Sequence, residues 1–342
     1  MRIVLDRGAG VSLPDLLSQP DCGAGRARIG GGMKKEEFTI ESRDGRRTPV
    51  HCVKWIPESE PVCILQIVHG MAEYVERYEA FAAWLCGQGV LVTGEDHLGH
   101  GKTAPDGGLG YFCENDPATV VVRDVHRLKK TVQAQYPGVP YILLGHSMGS
   151  FIARNYLMRY GTGIQGAVIM GTGMTPRPLL AVSKLMAGVQ ARIYGPHHIA
   201  EVLNRMAFGS YGKRIDPCRT PFDWLSANEQ NVQAYLADPL CGFTFTVNGF
   251  QTLFELLWRL HDRRALENMP KTLPVLFIAG TEDPVGGYGE AVRKVCDSFR
   301  ELGMEKVSIR MLEGDRHEIL NEDDAQTSYQ YIMDWMKQAA GL

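Results

Sequence analysis

Two hydrophobic rhythms alternate along the chain from Glu37 onward. Short apolar runs of strand length come first. Glu37–Ser42 and Pro49–Trp55 read as a strand pair around the turn Asp44-Gly45. Val62–Val68 is a continuous apolar run of the kind buried on both faces of a sheet. Further strands are predicted at Val90–Thr93, Tyr141–Gly145, Ala167–Met170, Pro274–Ala279 and Val307–Met311. Between them the period lengthens to that of a helix. Tyr78, Phe81 and Leu85 share one face, and so do Val121, Val125, Leu128 and Val132, in a helix that ends before Pro137-Gly138. Ile152, Tyr156 and Tyr160 mark another, and Tyr329, Ile332, Met333 and Met336 the last. Repeated strand–helix units with buried-type strands predict a parallel sheet covered on both faces.

Between about Gly173 and Phe250 the strand rhythm disappears. Leu179, Val182, Met186 and Val189 recur at helical spacing, followed by Ile199, Val202 and Met206. These short helical pieces predict an inserted cap over residues 173–250, dividing the α/β core into 33–172 and 251–342. A helix carrying Phe250, Leu253, Phe254 and Leu257 leads back to that core. Residues 1–32 hold the run Gly30-Gly31-Gly32 and little periodicity, which predicts a disordered tail, with Met33 as the first residue of the regular sequence.

Composition narrows the class. The 342 residues are 44% hydrophobic and 22% charged, as in ordinary globular proteins. A net charge of -3 gives no electrostatic reason to bind nucleic acid. No apolar run reaches the roughly 18 residues of a membrane span, and the first residues, Met1–Arg7, lack a signal-peptide core. A cytoplasmic protein is expected. The eight cysteines show no C-x-x-C pair and the ten histidines no zinc pattern, so free thiols and no metal are expected. Cys52 and Cys63 fall in predicted strands and Cys86 in a predicted helix.

The chemistry gathers at three places. Gly145-His146-Ser147-Met148-Gly149 lies where a predicted strand becomes a helix, and G-x-S-x-G at such a junction holds a serine on a sharp turn with its hydroxyl exposed. A serine needs a base and an acid to become a nucleophile. The order for this elbow is Ser, Asp/Glu, His. After a later strand comes Gly280-Thr281-Glu282-Asp283-Pro284, in which Asp283 is the expected acid and Glu282 the alternative. After the last strand, His317 lies in a loop and is the expected base. The backbone N–H groups of Met148 and of Met71, in His69-Gly70-Met71, are the expected oxyanion donors. His146 is read as a packed neighbour of the elbow rather than a second base. In Asp96-His97-Leu98-Gly99-His100-Gly101, Asp96 and His100 are expected to make structural hydrogen bonds in a tight loop.

Taken together, these motifs resemble the monoacylglycerol lipase and lysophospholipase branch of the α/β-hydrolases, from about Met33 to the C-terminus. The segment Asp238-Pro239-Leu240-Cys241-Gly242-Phe243 resembles a cap segment of that branch. Met71 departs from it, since a smaller residue is frequent there. The resemblance implies an α/β-hydrolase fold with an eight-stranded, mostly parallel sheet, a serine triad, no cofactor, and a mobile cap over an acyl-chain tunnel. The expected substrate is a lipid ester with one acyl chain, contacted by His146, Val182, Met186 and Cys241, with transient membrane contact through the cap. Two other readings stay open. One is a short-chain carboxylesterase or an aminopeptidase, the latter using cap carboxylates such as Glu201, Asp223 or Glu229 to hold an ammonium. The other is a non-catalytic ligand-binding protein on the same scaffold.

Overall fold

Among the described residues, nine strands form a single sheet in the order β1-β2-β3-β5-β4-β6-β7-β8-β9. The structure is a computed structural model, and it describes residues 27–29, 33–105 and 107–342. The strands are β1 (Ala27–Ile29), β2 (Met33–Glu41), β3 (Pro49–Pro57), β4 (Cys63–Val68), β5 (Val90–Glu95), β6 (Tyr141–His146), β7 (Gly166–Met170), β8 (Val275–Gly280) and β9 (Val307–Leu312). The pairs β1–β2, β2–β3 and β3–β5 are antiparallel, and every pairing from β5 to β9 is parallel. Strands β2 to β9 are the eight expected, although β2 begins at Met33 rather than Glu37. The ninth, β1, pairs Ala27 with Lys35 at the sheet edge. It falls inside the expected tail, whose other residues lie outside the described ones.

The two sheet faces are sorted by the period of two along each strand. In β6, Tyr141 and Leu143 join one buried cluster and Ile142 and Leu144 the other. In β8, Phe277 goes with the first and Leu276 and Ile278 with the second. The first face is covered by α2 (Pro117–Gln135), α3 (Met148–Tyr160) and α9 (Glu290–Glu301). The second is covered by α1 (Glu79–Cys86) and α10 (Ala325–Ala340), where Phe81, Leu85, Ile332 and Met333 are buried together.

Between β7 and β8 lie α4 (Arg177–Tyr194), α5 (Glu201–Phe208), α6 (Glu229–Ala237), α7 (Val247–Arg259) and α8 (Arg263–Leu266). Helix α7 buries Phe250, Leu253, Phe254 and Leu257 in the first cluster. Strand β4 sits between β5 and β6, at the point where the chain order along the sheet reverses. Loops at the carboxyl ends of such neighbouring strands diverge and leave a crevice. Here those loops carry Met71 and Ser147.

Candidate active site

Ser147 takes φ 54° and ψ −121° between β6 and α3, a left-handed conformation that costs a non-glycine residue strain. Its surroundings hold it there. The Ser147 N–H donates to the Met170 carbonyl of β7 at 3.0 Å, and the Ser150 hydroxyl donates to the Ser147 carbonyl at 2.6 Å. Gly149 is required because a Cβ there would collide with the Val68 carbonyl of β4. Gly70 is also closely packed, though against side chains. A Cβ there would stand 2.6 Å from Glu73 Oε1 and 3.1 Å from the Ser147 Cβ. The turn after β4 is thereby pressed against the serine.

Asp283 and His317 are buried and adjacent, with Asp283 Oδ2 3.0 Å from His317 Nδ1. The approach is close but off the line of a good hydrogen bond, and neither atom has another protein partner. Asp283 is fixed from the other side, where its Oδ1 accepts the Val285 N–H at 2.8 Å. Glu282 is exposed and does not face the histidine. His317 Nε2 is buried and has no partner, leaving it free to accept a proton. Ser147 and His317 line one cavity of about 910 Å³, together with Phe151, Leu180, Leu203 and Leu253. Trp224 stands against His317 with ring centroids 5.2 Å apart.

Met71 and Met148 border the same cavity. Met148 opens α3, where the first amides have no helical acceptor. Neither amide donates to a backbone acceptor among the described residues. The Met71 turn is held in shape by Ala72 at φ 53°. The Ala72 carbonyl accepts the Tyr235 hydroxyl at 2.9 Å and the Gly242 N–H at 3.0 Å.

Three expected substrate contacts are displaced. Val182 and Met186 are not part of the cavity wall. On α4 the inward side is Leu179, Leu180 and Ser183, whereas Val182 is 51% exposed and Met186 packs on the core margin. The correction has a simple cause. The stripe Leu179, Val182, Met186 and Val189 predicts the inward face, but Val182 and Val189 are exposed and Leu180 and Ala187 are buried instead. Cys241 is also outside the wall, buried with Leu225 and Tyr235, while its neighbours Gly242 and Phe243 border the cavity. His146 does reach the cavity. The loop at Asp96 behaves as expected: Asp96 accepts the N–H groups of Val75 and Lys102, each at 2.9 Å, and His100 Nδ1 donates to the Leu98 carbonyl at 3.1 Å. Burial holds His97 down to about 3 and His100 to about 4, so both rings are neutral.

One group of residues was not anticipated. Glu73 Oε1 accepts the Gly70 N–H at 2.6 Å and the Tyr78 hydroxyl at 2.9 Å, and it lies 3.1 Å from His146 Nδ1. Arg77 donates to Glu73 at 3.0 Å and to both oxygens of Glu318 at 2.7 and 2.9 Å. Asn231 of α6 also donates to Glu318 at 2.7 Å. Glu318 follows the base in sequence, and its N–H donates to the Leu225 carbonyl. The only local signal is the spacing of four between Glu73, in the loop after β4, and Arg77, in the short 3-10 helix Val75–Tyr78.

The Hydrolase_4 family model, described as "Serine aminopeptidase, S33", matches residues 59–324. The chain belongs to this family. Within it, monoglyceride lipase of Mus musculus is 28% identical over 278 residues, which is 79% of this chain and 80% of the mouse protein. Monoacylglycerol lipase of Mycolicibacterium smegmatis is 27% identical over 285 residues, 82% of this chain and 90% of that protein. A solved carboxyl esterase from Bacillus coagulans, in complex with glycerol, superposes with a TM-score of 0.82 at 30% identity, covering 90% of this chain and 99% of the esterase. The fold is therefore the α/β-hydrolase fold, and the chain is a hydrolase of this family with monoglyceride lipase homologues.

Proposed function

We propose that this hydrolase cleaves the carboxylic ester of a lipid with a single acyl chain, a monoacylglycerol or lysophospholipid, through an acyl-enzyme on Ser147. The observation that carries the reading is the cavity of about 910 Å³ that reaches Ser147 and His317 between walls of Phe151, Leu180, Leu203, Phe208, Leu253 and Leu257. Its size suits one drug-sized or single-chain ligand, and its apolar wall suits an acyl chain.

Each step follows from placement. The Ser147 hydroxyl attacks the ester carbonyl as His317 Nε2 takes its proton. The tetrahedral oxyanion is held by the Met71 and Met148 amides. Its collapse expels the alcohol, which receives the proton from His317, and leaves the acyl group on Ser147. A water then attacks that acyl carbonyl by the same route, giving its proton to His317, and His317 returns that proton to Ser147 Oγ as the fatty acid leaves. Asp283 holds the imidazole in the tautomer with Nε2 bare and stabilises the imidazolium. No step requires a cofactor.

The aminopeptidase alternative needs a free carboxylate to bind an ammonium. Glu201, Asp223 and Glu229 do not border the cavity. The carboxylates that do, Glu73 and Glu318, are already held by Arg77. This favours an ester substrate over a peptide N-terminus. Hydrolysis of p-nitrophenyl esters of rising chain length, beside an aminoacyl p-nitroanilide, tests the choice. Faster cleavage of the anilide, or activity confined to acetate, would overturn the lipid reading, and no turnover of any would favour a ligand-binding role.

We further propose transient docking of the cap on a lipid surface, supported by the exposed row Val182, Leu185, Val189 and Ile193 on α4. Co-sedimentation with phosphatidylcholine vesicles checks it, and recovery of all protein in the supernatant would count against it. Among the described residues, no helix is long and apolar enough to cross a membrane. A cytoplasmic location is proposed on the seven free cysteines of the described residues, six of them buried, and is checked by cell fractionation.

A further inference from the structure

The buried group beneath the oxyanion turn has an unusual demand for charge. Glu73 and Glu318 are two carboxylates with 3% and 4% exposure, and Arg77 is the cation between them. Two negative groups and one positive leave a net charge of −1 almost wholly buried, at the base of the cavity. The void among Glu73, Arg77, Tyr78, His146 and Glu318 is about 10 Å³, no more than one water needs. An uncompensated charge in such a place is costly.

His146 is placed to supply the missing charge. Its Nε2 stands 3.3 Å from the His317 carbonyl, which can only accept, so Nε2 carries a hydrogen. Its Nδ1 faces Glu73 Oε1 at 3.1 Å and the Tyr78 hydroxyl at 2.9 Å. The Tyr78 proton has a stronger acceptor in the same Glu73 oxygen, 2.9 Å away. With that proton spent on Glu73, Nδ1 meets only lone pairs unless it too carries a hydrogen. Both ring nitrogens then donate.

We propose that His146 is a positioning residue held as an imidazolium, the cationic corner of a buried, neutral quartet with Glu73, Arg77 and Glu318 that fixes the turn of the oxyanion donor and the backbone of the catalytic base. The catalytic part of this proposal rests on the serine-hydrolase reading above. Through Glu73 the quartet reaches the Gly70 N–H, one residue before Met71. Through His146 it reaches the carbonyl of His317 itself. The groups facing His146 are Glu73, Arg77 and Tyr78 from the β4–α1 connection and His317 and Glu318 from the loop after β9. His69 is held neutral, chiefly by burial. Electrostatics agree in direction. Burial alone would lower the His146 pKa, but the hydrogen bond and charge of Glu73, with Glu318 behind it, raise it above the ordinary histidine value. Burial would raise Glu73 and Glu318, yet His146 and Arg77 hold both below the carboxylate range.

The test is the proton count on the His146 ring. In protein labelled with ¹⁵N-histidine, His146 is expected to show two protonated nitrogens at pH 8, where an unperturbed histidine is neutral. Glu73→Gln is expected to leave one bare nitrogen at that pH. It should also lower kcat on p-nitrophenyl butyrate by up to roughly a hundredfold, with KM within about threefold, because misplacing catalytic groups spares binding. A wild-type His146 with one bare nitrogen at pH 7 overturns the proposal, and so does a folded Glu73→Gln with unchanged kcat. If Glu73→Gln does not fold, the wild-type spectrum alone decides. The spectrum does not depend on turnover. An inactive wild type with a doubly protonated His146 would sink the ester-hydrolase reading and leave the imidazolium standing.

Discussion

Asp283 meets His317 at 3.0 Å, yet the contact is off line and the carboxylate oxygen has no other protein partner. Catalytic hydrogen bonds are often long or poorly aligned without substrate and tighten in the reacting complex. Asp283→Asn is expected to cost about 10⁴-fold in kcat, because the amide favours the wrong tautomer of the base. Glu282→Gln, at an exposed neighbour, should stay within about threefold. Steady-state rates on a short p-nitrophenyl ester compare the two, and the reverse order would move the acid to Glu282.

Ser147→Ala should reduce kcat by at least about 10⁴-fold while leaving the fold intact. A fluorophosphonate probe should label the wild type at Ser147 and leave the variant unlabelled. Equal labelling of both would place the nucleophile elsewhere.

The acyl wall gives a prediction in chain length. Each buried CH₂ contributes about 0.8 kcal/mol, so each two-carbon extension should raise kcat/KM by up to about tenfold until the cavity is full. Leu180→Asp puts an unpaired carboxylate into that wall and should hurt long esters more than acetate. Val182→Asp, on the outward face, should leave soluble esters untouched and weaken vesicle binding instead. If Val182→Asp is the change that shortens the preferred chain, the inward face of α4 has been misplaced.

Stability should carry a pH signature at Asp315. Its carboxyl is pushed up to about 7, first by burial and then by Asp324 and Glu322, and its Oδ2 has no protein partner. A folded pKa above the unfolded one means that the neutral acid is the form the fold prefers. Its stabilisation is complete below about pH 4, the unfolded pKa, and is lost as pH rises through 7. Asp315→Asn removes the titration. It should raise stability by about 1–2 kcal/mol at pH 8, less than the full shift because water screens part of the charge. At pH 4 it should change little. Denaturant melts at the two pH values settle it, and equal effects at both would remove titration as the cause.

What sequence reveals here depends on distance along the chain. The elbow could be read because strand, glycine, serine and glycine are consecutive and the strain at Ser147 is resolved within five residues. Strands β4, β6, β8 and β9 were legible as short apolar runs, but runs that are apolar at every position carry neither the strand order nor the sorting of Leu143 and Leu144 to opposite faces. Helix α4 was harder. Leu179, Val182, Met186 and Val189 form the stripe at helical spacing, and a stripe usually turns inward. Here Val182 and Val189 are exposed, Met186 packs on the core margin, and Leu180 and Ala187 are the residues buried. The Arg77–Glu318 pair joins residues 241 positions apart, and no local rule predicts such a meeting.

The bonds of Ala72 divide the inserted segment into two parts with different duties. Tyr235 and Gly242 are fastened to the Ala72 turn, and Asn231 and Leu225 to Glu318 beside His317. Arg316 adds two more ties, to the carbonyls of Asp223 and Ser226. That half is bound to the loops that carry Met71 and His317. Among the described residues no hydrogen bond ties α4 or α5 to those loops; α4 is seated along α7, for example through Lys184 and Glu255 at 2.6 Å, and α5 packs on α4. An exchange of specificity between relatives therefore has a natural seam inside the insertion, near Gly209. A chimera cut there inherits a new roof over an unchanged reaction centre. One cut at the ends of the insertion would import foreign partners for Ala72 and Glu318, and the chemistry would have to be rebuilt along with the roof.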